Sequence, residues 1–321
     1  MKLRLLAALS FSSLLTVGCD VGGSNTQTGV DAPGVVVDAP PAVGNLITAD
    51  ETWSGTKVLN DTITIAAGVT VTVDAGTKIT GPAGKNLRVR GTLKVNGTAA
   101  SRVSLKPISG IFAGVVVEMG GTANVAYFDA SQIATAFYVH AGATLTLDHA
   151  DISDISKAVD VGGGTATVTR SKIQKMQNGG ANLGSGTLTI RDSLLLESTG
   201  DIVVANAGAL TIEYSEIGGA TSIYEHCNLH IGGDVTIKVS HNNIRSSVYG
   251  LMFYGGTNAD FTFNNWYEND NDLDPAGGAA LAGRTGNFAN SYWVRPPMAT
   301  TGATFMPMSA TKLTDAGIRP E

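Results

Sequence analysis

The chain writes one short phrase at least four times: GATLTLDHADIS from Gly142, GGTATVTRSKIQ from Gly163, SGTLTIRDSLLL from Ser185 and AGALTIEYSEIG from Ala207. Taking the residue before the last inward aliphatic of each run as a marker gives Thr146, Thr167, Thr189, Thr211, Lys238 and Thr262, with steps of 21, 22, 22, 27 and 24 residues. A period near 22 implies stacked units, each able to bury its apolar face only against its neighbours. Within a unit the apolar residues alternate: Leu145 and Leu147, Ala166 and Val168, Leu188 and Ile190, Leu210 and Ile212, Ile237 and Val239, Phe261 and Phe263. Period two is the signature of a strand with one buried face. Ile152, Ile173, Leu195, Ile217 and Ile244 start a further inward set beyond the next turn, and Phe137/Val139, Val159/Val161, Ala181/Leu183 and Ile202/Val204 precede each run. Gly162 to Gly164 and Gly184 to Gly186 are expected to make corners between strands, where positive backbone torsions are needed.

Several short strands per turn, in register from turn to turn, predict an all-β chain: a single-stranded right-handed parallel β-helix of about 22 residues per turn with an irregular C-terminal cap. The small residues four past the marker (Ala150, Ser171, Ser193, Ser215, Asn242) should stack, with Asn242 and Asn265 beginning an asparagine ladder. The Thr-x-Thr pairs at 144/146, 165/167 and 187/189 need nothing beyond the strand preference of Thr.

The segment from Trp53 to Pro107 carries a Trp-Ser-Gly start, AAGVTVTVDAGTKI, a Gly-Thr-Leu strand and NGTAA before an extended run. It resembles the opening turns of bacterial right-handed parallel β-helix surface proteins and lipoproteins with the pectin-lyase-like fold. NNWYEN, Asn264 to Asn269, is similar to the segment that ends many such helices. The resemblance implies a surface or carbohydrate-active role, and fold alone does not choose between them.

MKLRLLAALSFSSLLTVGC places two cations before a short apolar run and Gly18 before Cys19, the pattern of an exported chain. The ending LTVGC resembles a lipobox, which implies cleavage after residue 18, lipid attachment at Cys19 and anchorage in a bacterial cell envelope. Residues 19–45, rich in Gly, Pro, Asp and small residues, read as a flexible tether, 46–274 as the β-helix and 275–321 as the capping segment. The net charge of -6 argues against a nucleic-acid partner.

Outward residues one turn apart fall into columns, where a site would show as chemistry shared between turns. Asp148, Thr169, Arg191 and Glu213 form one; His149, Arg170, Asp192, Tyr214 and His241 form the next. Mixed charges along such columns are what surface pairing selects, and no adjacent Asp-Asp pair exists for a hydrolase. His149, Arg170, Asp192 and Tyr214 are the residues to test first for catalysis. Between Ala75 and Lys106 seven cations occur with no Asp or Glu; Lys85, Arg88, Arg90 and Lys94 among them are the expected ligand-binding stripe for acidic polysaccharide or envelope glycan. Asp270, Asp272 and Asp274 offer alternating oxygens for Ca2+, although Pro275 and Leu281 exclude an EF-hand. His226, Cys227 and His230 offer a weaker set of metal ligands, and Cys227 is expected to be a buried small thiol. The expected function is a non-catalytic binding or structural surface module; the alternatives are a polysaccharide lyase or hydrolase, and a self-associating spacer.

Overall fold

The computed structural model describes residues 45–177, 179–220, 226–255, 257–273, 286–295 and 303–320. The export segment, Cys19 and Asp274 lie outside the described residues.

Among the described residues every strand pairing is parallel and joins a strand to its counterpart one turn on. One sheet takes a single strand from each turn, from Thr56–Val58 through Asp151–Ile155, Lys172–Met176, Leu194–Ser198 and Glu216–Ala220 to Tyr292–Trp293, eleven strands in chain order. The other takes the rest of each turn. The chain is thus a parallel β-solenoid with about 22 residues per turn, as the pairings Thr144↔Thr165 and Thr165↔Thr187 show. Among the described residues no helix is long and apolar enough to cross a membrane.

Alternation places the core where the sequence predicts it. Leu145, Leu147, Val168, Leu188, Ile190 and Ile212 are fully enclosed, as are Ile152, Ile173, Leu195, Ile217 and Ile244. The glycine corners differ from expectation: they bend strands without ending them, so Lys157–Thr169 and Ala181–Arg191 run straight through. Gly186 shows why glycine is required. Its φ is +89°, and a Cβ there would lie 2.2 Å from the Gly164 carbonyl oxygen.

Two register expectations are corrected. Lys238 pairs with Asp260, so that step is 22 residues and the proper counterparts inside are Ala259 and Phe261, both buried. Phe263 therefore turns outward, 37% exposed, and stacks on His241 with ring centroids 5.0 Å apart. The same displacement moves the ladder to Asn264. Likewise Val203 and Ala205, not Ile202 and Val204, continue the pair Ala181/Leu183.

The ladder itself is a continuous chain of bonds. The backbone N–H groups of Ala150, Ser171, Ser193, Ser215, Asn242 and Asn264 donate to the side-chain oxygens of Ser171, Ser193, Ser215, Asn242, Asn264 and Ser291, one turn ahead in each case. Short strands continue the stacking past residue 274, where Gly286–Asn287 pairs with Ala303–Thr304. Aromatic rings close the core there: Trp266 on Trp293 at 4.9 Å, Phe261 on Phe288 at 4.8 Å and Phe288 on Phe305 at 5.0 Å.

Candidate ligand-binding cleft

The column holding His149, Arg170, Asp192 and Tyr214 is a line of left-handed bends. Tyr127, His149, Arg170, Asp192, Tyr214, His241, Phe263 and Asn290 all have φ between 46° and 60°. One such residue per turn folds the chain sharply toward the single-strand sheet, and the ladder residue follows it after one step. Side chains at these bends cannot enter the core, so they stand out in a row about one strand spacing apart. Rings stack where neighbours allow: Tyr127 on His149 at 4.3 Å and Tyr214 on His241 at 4.9 Å.

Beside this row lies a cleft of about 620 Å³ lined by Arg102, His149, Arg170, Lys172, Asp192 and Arg319, among others. Three of the four residues singled out for testing therefore share one surface; Tyr214 stands at its edge under Arg319, whose guanidinium lies 4.1 Å from the ring. Arg319 also grips Asp192 with two bonds of 2.7 and 2.6 Å. It is carried there by the C-terminal segment, which runs back along the bends: Ser309 N–H donates to Ser291 O, Leu313 exchanges two bonds with Asn265, and Gly317 N–H donates to His241 O.

Two carboxylates, Asp192 in the lining and Asp148 next to His149, are held ionised. Burial alone would raise the Asp148 carboxyl, but hydrogen bonds from Arg170, Thr169 and His149 outweigh it and hold the pKa at about 2. Asp192 is lowered chiefly by its bonds to Arg319. Arg102 donates to Asp129 at 2.6 Å and to the carbonyl of His149 at 2.7 Å, fixing the floor of the cleft.

Asp148 supports a pH prediction. Its folded pKa lies below the ordinary value near 3.8, so the stabilisation it supplies is complete above that value and disappears as pH falls toward about 2. The melting temperature of wild type should exceed that of Asp148→Asn at neutral pH, and the gap should close across that acid window. A gap that persists unchanged to pH 2 would show that the loss comes from packing and not from the charge.

The other expected sites fall elsewhere. Arg88 and Arg90 both close on the buried Glu118 carboxylate, Lys85 pairs with Asp61 at 2.7 Å, and Lys94 is exposed. The sequence stripe looked uncompensated because its carboxylates arrive from neighbouring turns. Asp272 is buried and accepts hydrogen bonds from Asn269 Nδ2 at 2.8 Å and the Arg295 N–H at 3.0 Å, while Asp270 is exposed. Burial raises the Asp272 pKa. Arg319 and Asp129 carried no sequence signal, since their partners are set only by the turn-to-turn register or by the returning C-terminus.

The chain matches no protein-family description, no curated protein and no solved structure.

Proposed function

We propose that this chain is a cell-envelope lipoprotein, tethered through Cys19, whose solenoid acts as a non-catalytic binding module for acidic polysaccharide in the cleft beside His149, Arg170 and Lys172. The observation that carries the reading is the gathering of Arg102, Arg170, Lys172 and Arg319 in one cleft; the three arginines each also engage a carboxylate, Asp129, Asp148 and Asp192, which leaves their remaining N–H groups and the Lys172 ammonium for a ligand. Planar guanidiniums suit paired contacts with sugar carboxylates, and the ring row beside them suits stacking on sugar faces. The carboxyls of Asp148 and Asp192, both held low, are poor proton donors for glycosidic cleavage near neutral pH.

The test incubates the full chain with acidic and neutral polysaccharides, with and without calcium, following both retained protein and released products. Retention on acidic polymers, falling as salt rises, without new products is the expected result. Arg170→Ala with Lys172→Ala should weaken it by about tenfold or more. Arg88→Ala with Arg90→Ala should change it little, because neither residue lines the cleft; a large loss there would move the binding face to the stripe. Calcium-dependent unsaturated sugar products would overturn the reading in favour of a lyase. Neither binding nor products would leave a spacer.

A further inference from the structure

On the opposite side of the repeat, where one turn hands over to the next, Asp201 collects a thiol and two imidazoles. Asp201 precedes the strand Val203–Glu213; Cys227 opens the strand Cys227–Ser240 of the following turn, and the pairing Val204↔His230 sets His230 above the outer face. Asp201 Oδ1 lies 3.2 Å from Cys227 Sγ and 3.1 Å from His226 Nδ1, and Oδ2 lies 3.1 Å from His230 Nδ1. The Cys227 N–H donates to Oδ1 at 2.9 Å, which fixes the carboxylate. Ligand atoms of Asp201, Cys227 and His230 all fall within 4.8 Å of one another.

We infer that Asp201, Cys227 and His230 form a binding site for a thiolate-preferring divalent transition metal such as Zn2+, with the fourth position open to water. Bond lengths of about 2.0 to 2.3 Å in a tetrahedral zinc site put neighbouring ligand atoms roughly 3.3 to 3.8 Å apart. The cluster needs a side-chain adjustment of about an ångström to close on an ion of that size. A second observation points the same way. His230 Nδ1 is buried and faces the carboxylate 3.1 Å away, already directed at the point the other ligand atoms share. A buried thiol kept only for packing would not need a carboxylate and two imidazoles around it. The donor set of sulfur, nitrogen and one carboxylate oxygen selects zinc or its soft relatives over calcium or magnesium, and binding displaces the thiol proton to solvent.

The site is read with Co2+ and Zn2+ on the full chain freed of metal by chelation. One equivalent of Co2+ should bind per chain and produce a thiolate-to-cobalt charge-transfer band. That band should vanish in Cys227→Ser and survive in Cys19→Ser, which separates the two cysteines. Loss of the thiolate should weaken Zn2+ by more than about 100-fold, the upper range for removing a mere supporting group. Since Cys227 is enclosed, His230→Gln on the outer face provides the variant that keeps the fold, checked by circular dichroism, and it should weaken Zn2+ as well. Uptake well below one equivalent, a band that persists without Cys227, or unchanged Zn2+ affinity in folded His230→Gln would each overturn the assignment.

Discussion

Ile190→Asp should give no folded solenoid. Ile190 is fully enclosed and the register seats it between Val168 and Ile212, so a carboxylate there has no route to water and no partner. Burying an unpaired charge costs at least about 5 kcal/mol, a large part of a typical stability of about 5 to 15 kcal/mol. Because solenoid stability is a chain of neighbour contacts, the damage strikes both interfaces of that turn at once. Thr189→Asp, one residue away and facing outward, supplies the comparison; its urea midpoint should move by the equivalent of about 0.5 kcal/mol. Far-ultraviolet circular dichroism and solubility read the difference. A folded Ile190→Asp with a near-normal midpoint would show that the core has room or water the packing does not suggest.

The contrast between these two positions was visible in the sequence, because period-two alternation assigns faces residue by residue. What alternation cannot give is what closes a turn. The bend column was legible as a register of His149, Arg170, Asp192 and Tyr214, but not as a line of left-handed residues, since of these only His149 and Asp192 belong to types that favour that region. Its chemistry was hidden further by distance: Arg319 reaches Asp192 from 127 residues away. Glu118 escaped notice for a related reason. It sits just beyond the stripe it neutralises, 30 residues from Arg88 and 28 from Arg90, and only the stacking of turns brings them together. Asp201 lies 26 residues from Cys227, so a search for ligands by local spacing finds His226, Cys227 and His230 and misses their common partner. The slip at Thr262 has a simpler origin. In NADFTFNNW one alternation runs on through Ala259, Phe261 and Phe263, so Phe263 mimics an inward residue while its backbone is a bend.

That same corrected register makes Asn242 the most consequential polar residue of the stack. It is fully buried, its Oδ1 accepts from the Ser215 N–H at 2.9 Å, and its Nδ2 donates to the carbonyls of Ile212 at 2.9 Å and Ser240 at 3.0 Å and to Asn264 Oδ1 at 3.1 Å. Asn242→Leu preserves volume but leaves that N–H and those carbonyls facing an apolar group. Each unsatisfied buried group costs about 1 to 3 kcal/mol, so a loss of about 4 kcal/mol is expected. Serine is the informative comparison, because the column already uses it: the hydroxyls of Ser171, Ser193 and Ser215 each accept from the turn before and donate to the carbonyl two residues back. In place of Asn242 a serine can keep the bonds to Ser215 and Ser240 and lose those to Ile212 and Asn264, so Asn242→Ser should cost about half as much. Urea titration of the three proteins reads the order wild type, Ser, Leu. Equal losses for Ser and Leu would mean that the amide's reach to Ile212 and Asn264 matters and the ladder bond to Ser215 does not; a Leu variant as stable as wild type would show that the ladder contributes register without stability.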